Sequence, residues 1–517
     1  MSDLGAYIKA HYPVIILIVL GFIAASAVNF FDITMSQTIY SFRLDDFEVG
    51  QIADRTIFAP KTIPADEMNP VFIEEGEKII RKGFPITEDG YAKLQKMAES
   101  PFYLDYRSFA NSELYLFLLA TMWFLLFAFA PFGRKIHLRE LIFQVVCFLL
   151  VYAGITFGGK TEFFNDPFSL LVIVPATLMI LLDAILYGQQ SAMFLSFIMA
   201  FAAFDAADAR VVPFMFTLAS CLAGSTIVRK IEKRMDLILV SLMLAFFNAV
   251  IVVILAVIFN EPLSHIPIIL GGVALNGFLS GVLTLALLTP IELLLNTASV
   301  FRLIDLCDTN APVLKKLYQT ANGTYNHSMS VGTLAENACR EIGANALLAK
   351  VGAWYHDVGK MEQSEYFTEN QMDGINPHDK ITPSLSASIL RSHVRKSVEM
   401  GHQMHLPKQI LDIIEEHHGN SVMMWFYTKA KELDPNVSTI DYSYPGNPPS
   451  SKESGVVMLA DTVEAACRSL ENPTEERLEK FIQKLFDDKM EHGQLDECEL
   501  TFRDLKKIKA SFVKFLV

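Results

Sequence analysis

Eight apolar runs within residues 13–288 constrain this chain more than any other feature of its sequence. The first covers 13–31; the others cover 114–131, 141–157, 167–187, 190–204, 211–228, 237–259 and 266–288. A helix needs about 20 apolar residues to cross the hydrocarbon core of a bilayer. Every backbone amide must find an internal partner there, so such runs fold as helices. The run at 13–31 lacks a small-residue cleavage site before a polar start, and it reads as an anchor rather than a removed signal peptide. Only a tight turn at Gly188-Gln189 separates the runs 167–187 and 190–204.

Charge sets the orientation. Arg134, Lys135 and Arg139 cluster in one short loop, and Arg229, Lys230, Lys233 and Arg234 in another. Both loops belong in the cytoplasm by the positive-inside rule, and the even number of runs between them agrees. The loops holding Asn165-Asp166, residues 205–208 and Asn260-Glu261 then face outward. Both termini fall inside the cell and residues 32–111 outside it. The expected organisation is a membrane anchor helix (1–31), a short extracytoplasmic domain (32–111), a seven-span membrane domain (112–290), a connector helix (291–320) and a cytoplasmic domain (321–517). The connector shows helical spacing of Leu293, Leu294, Val300, Leu303, Ile304, Leu306, Leu314 and Leu317, with Pro312 expected to break or kink it. Asp183 lies inside a run, where a carboxylate is a functional candidate by default. Its place near the cytoplasmic end favours a wetted helix-end residue.

The 52% hydrophobic content of the 517 residues is concentrated in these runs. Beyond Asp305 the chain reads as soluble, mixed in charge and helix-rich, with a loop at 441–451 around Tyr444-Pro445-Gly446-Asn447-Pro448-Pro449. A net charge of −14 excludes a nucleic-acid polymer as the main partner, since that needs a basic footprint. The six cysteines are scattered and none lies in 32–111, so no disulfide framework is implied there.

The soluble part carries an ordered series of His327, His356-Asp357, His393, His417-His418 and Asp461. Imidazole nitrogen and carboxylate oxygen together suit borderline metals, and without cysteine this is not a structural zinc site of the thiolate type. A lone histidine is more often a surface or capped residue; an ordered set around Tyr355-His356-Asp357-Val358-Gly359-Lys360 is a motif. Neighbouring residues on a helix point to different faces, so His356 and Asp357 can serve two adjacent metals with Asp357 bridging. Gly419 after the paired histidines is a natural helix stop. These side chains leave coordination positions open, the mark of catalytic metal sites. Lys360, one turn past Asp357, is placed to offset phosphate charge. His402, His405 and His492 read as ordinary residues, and His378 as a substrate-pocket candidate.

The chain resembles the bacterial seven-transmembrane receptors with a cytoplasmic HD hydrolase domain that act as cyclic-di-AMP phosphodiesterases. The resemblance rests on Gly323-Thr324-Tyr325-Asn326-His327-Ser328, the HDVGK run, Phe367-Thr368-Glu369-Asn370-Gln371, Asn376-Pro377-His378-Asp379, Ser392-His393-Val394, Glu416-His417-His418-Gly419 and Met458-Leu459-Ala460-Asp461. It implies an all-α fold, with a leading helix plus seven spans joined to an all-α HD domain, in the bacterial cell membrane. It implies two divalent ions, iron or manganese. His327, His356, Asp357 and Asp461 would hold one, and Asp357, His393, His417 and His418 the other. The implied partners are a cyclic dinucleotide substrate and the lipid bilayer. A homodimer stays open, and no extracytoplasmic ligand is identified. The implied reaction takes cyclic di-AMP to 5′-pApA. A receptor that binds without turnover, or a phosphohydrolase for cyclic di-GMP or another nucleotide, remains an alternative. The related cyclic di-GMP family carries Gly-Tyr-Pro where this chain has Gly419-Asn420-Ser421.

Two stretches depart from the family pattern. In the extracytoplasmic segment, 50–60 resembles the start of the usual domain and 72–90 its end, with the middle absent. After Lys360, Met361-Glu362-Gln363-Ser364-Glu365 is more acidic than the family's usual basic stretch.

Overall fold

The computed structural model describes residues 2–35, 44–59, 62–65, 70–74, 76–99, 106–128, 138–164, 166–231, 233–260, 266–371, 376–468, 470 and 474–517. Helices dominate, as the all-α expectation requires. The chain forms two compact units, Met1–Ala286 and Leu287–Val517.

The first unit holds α1 (Ser2–Met35), α2 (Glu88–Glu99), α3 (Tyr106–Ala128), α4 (Leu138–Gly158), α5 (Pro167–Leu170), α6 (Ala176–Tyr187), α7 (Gln189–Ala206), α8 (Val211–Ile227), α9 (Asp236–Phe259) and most of α10 (Ile266–Leu295). Each expected run falls on one of these helices or, for 167–187, on several. Among the described residues four helices are long and apolar enough to cross a membrane, or five with the bent pair counted as one. Phe109–Leu125 and Val211–Ile227 are shorter apolar helices. The basic pair Arg134-Lys135, Asn165 and Glu261 lie outside the described residues.

The run at 167–187 is not one straight helix. It bends by 42° between Ile173 and Ala176, because Pro175 lacks an amide hydrogen and holds Val174 in an extended conformation. Asn276 of α10 repairs the break by donating to Val172 O at 2.8 Å and Val174 O at 3.1 Å. Broken helices inside a bilayer persist where a neighbouring side chain satisfies the freed backbone in this way. Asp183 also differs from expectation. It is fully buried rather than wetted, and its carboxylate accepts from Ser191 Oγ at 2.6 Å and Gln144 Nε2 at 3.4 Å. At the end of α7, Asp205 accepts from Tyr152 OH at 2.8 Å and Ser112 Oγ at 2.9 Å.

The segment before α3 has its own core. Strands β1 (Ile57–Phe58) and β2 (Lys78–Ile80) pair antiparallel, and Ile63 bridges to Ile73. Phe47, Ala59, Ile73, Ile80, Leu94 and Met97 pack together beneath them. The stretches 50–60 and 72–90 therefore meet in one hairpin-and-helix fold.

The second unit begins with the end of α10 and continues with α11 (Val300–Leu306), α12 (Pro312–Thr320), α13 (Asn322–Ile342), α14 (Ala346–Tyr355), α15 (Pro383–Gln403), α16 (Lys408–Glu416), α17 (Met424–Leu433), α18 (Lys452–Cys467), α19 (Glu475–Glu491) and α20 (Phe502–Leu516). The expected single connector helix over 291–320 is three helical pieces. Asn296 takes the left-handed conformation (φ 49°) and ends α10; Ser299 caps α11 by accepting from Arg302 N. Pro312 occupies the first turn of α12, where its missing amide hydrogen costs nothing, and so it starts a helix instead of interrupting one. Helix α13 packs against α14, α18 and α20, with Val331, Leu334, Ala335, Val457, Ile508 and Phe512 fully buried between them. This core fixes the elements that carry the histidines.

Candidate metal centre

The seven side chains of the series, from five helices or their ends, meet at one place. His327 projects from α13, and His356-Asp357 follow α14. His393 lies on α15, His417-His418 end α16, and Asp461 lies on α18. All but His418 are buried, and His418 is partly so.

Two local features bring them together. Gly359 N donates to Ser397 Oγ at 2.8 Å, and a Cβ on Gly359 would lie 2.2 Å from His393 O. Only glycine lets the Asp357–Lys360 turn approach α15 this closely, which is the physical content of the glycine in HDVGK. Gly419 takes φ 53° and ends α16 directly after the paired histidines. Farther out, Glu416 accepts from Ser450 N at 3.0 Å and Ser454 Oγ at 2.7 Å. That ties the end of α16 to the loop 441–451 and to the start of α18.

The ligand atoms fall into two groups. His327, His356 and Asp357 form one, and His393, His417 and His418 the other. Asp357 faces both: its Oδ2 is 3.1 Å from His356 Nε2 and 3.6 Å from His327 Nε2, while its Oδ1 is 3.3 Å from His393 Nε2 and 3.8 Å from His417 Nε2. Asp461 also reaches both ways, 2.9 Å from His327 Nε2 through Oδ1 and 3.7 Å from His418 Nδ1 through Oδ2. His356 Nε2 and Asp357 Oδ1 are buried without a hydrogen-bond partner. Orphaned buried polar atoms are rare and call for a specific explanation; divalent metal binding would supply one.

The ring orientations are fixed from behind. The Nδ1 atoms of His356 and His417 each lie 2.7 Å from a carbonyl oxygen, of Ala353 and Ile414, and that of His393 faces Leu390 O. His327 differs, because its Nδ1 meets the Glu464 carboxylate, which is held by Arg468 at 2.7 Å. Such backing fixes the tautomer and turns the other ring nitrogen toward a metal.

Electrostatics separates the groups. Burial brings the pKa of His393 down to about 4 and that of His417 to about 3, and that of His418 well below its usual value. These three are neutral imidazoles, the form that binds metal. Burial opposes charge on His356 too, but Asp357 and Asp461 outweigh it and raise its pKa to about 10. The carboxylate-rich half thus demands positive charge. Lys360 supplies part of it, with Nζ 2.7 Å from Asp357 Oδ2 and 2.9 Å from Glu369 Oε1.

Other expected residues lie nearby or outside. Glu369 and Asn370 bond to Thr324 at the start of α13, joining two of the sequence motifs. His378 Nε2 donates to Tyr366 O at 2.9 Å, and its ring packs between those of Tyr366 and Phe426, with centroids 5.3 and 5.1 Å away. Glu362, in the acidic stretch, pairs with Lys396. His402, His405 and His492 are exposed. Tyr444, which the sequence marks only as a loop residue, stacks on His418 at 4.3 Å. Its Pro-Gly neighbourhood signals a turn and nothing more.

Residues 324–466 match the HD domain, and residues 108–299 match the family described as a 7TM receptor with intracellular HD hydrolase. The chain belongs to that family. It is 42% identical over 297 residues to the cyclic-di-AMP phosphodiesterase PgpH of Bacillus subtilis, covering 57% of this chain and 42% of that protein. It is 32% identical over 461 residues to the PgpH of Listeria monocytogenes, covering 87% of this chain and 63% of that one. The chain thus spans well under the full length of both relatives. The crystal structure of the Listeria PgpH HD domain in complex with cyclic-di-AMP covers 41% of this chain and 98% of its own, at 42% identity and a TM-score of 0.40. An HD hydrolase domain of this kind implies divalent metal binding, and the His/Asp groups fit such ions.

Proposed function

We propose that this protein is a membrane-bound, metal-dependent phosphodiesterase that hydrolyses cyclic di-AMP to 5′-pApA and so lowers the level of that second messenger. The observation that carries the reading is Asp357, whose two oxygens face two separate histidine groups around orphaned buried ligand atoms. The names of the relatives supply the substrate. His327, His356, Asp357 and Asp461 would hold one ion, and Asp357, His393, His417 and His418 the second, with iron or manganese suited to the all-His/carboxylate donors. When bound, such a pair supplies a water nucleophile at neutral pH and stabilises charge on phosphoryl oxygens.

The chain's own residues do the rest. Backing by carbonyls and Glu464 keeps the imidazoles aimed inward. Lys360 balances Asp357 and Glu369, so that the centre is not left with excess negative charge that would repel phosphate. Tyr444, stacked on His418, offers an aromatic face beside the site. In this reading residues 321–517 work in the cytoplasm of a bacterial cell, anchored through 112–290, with 32–111 outside.

Turnover by the purified full chain decides the matter. With Mn²⁺ or Fe²⁺ it should convert cyclic di-AMP to pApA, faster than it cleaves cyclic di-GMP. His393→Ala or His418→Ala should form almost no product while keeping the helical fold. Tight binding of cyclic di-AMP by metal-loaded wild type without product would replace the enzyme by a receptor.

A further inference from the structure

The tripeptide Gly419-Asn420-Ser421 follows the paired histidines, and the end of α19 closes on it. Ser421 N donates to His418 O at 3.1 Å. Lys489 Nζ donates to Ser421 Oγ at 3.2 Å, and Gln494 donates to Asn420. Lys489 is only partly exposed, and among the described residues no carboxylate stands within ion-pair distance of its ammonium. Burial lowers its pKa, and Asp461 is the strongest charge acting on it, so the side chain lies within the field of the ligand cluster. Lys360 offers a contrast, since Asp357 and Glu369 already hold it.

A desolvated ammonium with only a hydroxyl for company is costly unless an anion joins it. A cyclic dinucleotide brings two phosphodiesters, and only one can be the bond that breaks. We propose that Lys489, together with the Ser421 hydroxyl, binds the second, non-reacting phosphodiester of the cyclic dinucleotide and so selects two-phosphate rings over simple diesters. This rests on the phosphodiesterase reading above. The position matters chemically because the turn that orients Ser421 is also the turn that ends the ligand helix. A contact there registers the ring against the two histidines.

The test compares Lys489→Met and Lys489→Arg in the full chain, at metal content verified equal to wild type. Cyclic di-AMP carries two phosphodiesters and bis(p-nitrophenyl) phosphate carries one. Lys489→Met should raise KM for the cyclic dinucleotide about tenfold or more, the value of a charge-assisted hydrogen bond, with kcat much less affected. The loss in kcat/KM on the single diester should be at least about tenfold smaller, and arginine should recover much of the affinity. Equal losses on both substrates, a fall in kcat alone, or no change on either would overturn the proposal. Calorimetric titration with cyclic di-AMP reads the same loss without turnover: weaker binding by Lys489→Met supports the contact, and unchanged binding sinks it. Wild-type failure to cleave cyclic di-AMP would sink the phosphodiesterase reading instead, and the affinity comparison would still judge Lys489.

Discussion

Asp357 sits where single side chains matter most. Its two oxygens serve both histidine groups, so Asp357→Ala should lose most of both metals in elemental analysis. Full retention of either ion would show that the bridge is wrongly placed. Glu464 gives a subtler case, because it backs His327 alone. Glu464→Ala should weaken the metal held through His327 by about 10–100-fold, leave the three-histidine position much less affected, and be partly rescued by Glu464→Gln. Stepwise metal titration followed by Mn²⁺ magnetic resonance would separate the two positions, and equal weakening of both would argue for a general structural role. The seven candidate ligands stood out in the sequence because their chemistry is unusual and their order is a motif, and the fold brings them together. Glu464, Tyr444 and Lys489 did not stand out, since a common residue acquires its role only when α18, α19 and the loop 441–451 are brought against α16 by packing that no local pattern encodes.

At the scale of elements, hydropathy marked where the helices lie but not where they break. The bend after Ile173 follows from Pro175, which the sequence displays, yet its tolerance follows from Asn276 on α10, about a hundred residues away. Asn276→Leu should therefore destabilise the membrane unit by about 1–3 kcal/mol, the cost of leaving buried carbonyls unpaired. A lower thermal midpoint in detergent, followed by thiol reactivity of buried Cys147 and Cys221, would register it; an unchanged midpoint would mean that lipid or another helix satisfies Val172 and Val174. The connector teaches the same lesson in the soluble part. Its leucines kept helical spacing across two breaks, and periodicity could not reveal the left-handed turn at Asn296 or the reassignment of Pro312 to a helix start. A proline read alone says only that a regular helix is disturbed there; the surrounding chain decides on which side.

For the whole molecule the open physical question is which side of the bilayer each unit faces. By the positive-inside rule, the positive charge near Arg229 and the parity of the apolar runs would put the proposed catalytic residues in the cytoplasm and the hairpin-and-helix segment outside. The proposed substrate asks for the same side, since a hydrolase acts only in the compartment that holds its substrate. A cysteine scan on a background without the six native cysteines tests this directly. Cysteine at exposed Lys82, beyond β2 in the outer segment, should react with a membrane-impermeant thiol reagent on intact cells. Cysteine at exposed Arg229, or at exposed Leu433 in the HD unit, should react only after permeabilisation. Labelling of Lys82→Cys and Arg229→Cys from the same side would break the eight-span parity, since the five runs between them, an odd number, require them to lie on opposite sides. Labelling of Leu433→Cys from outside would do more damage: it would put the proposed hydrolase in the wrong compartment for its substrate, whatever the metal site can do.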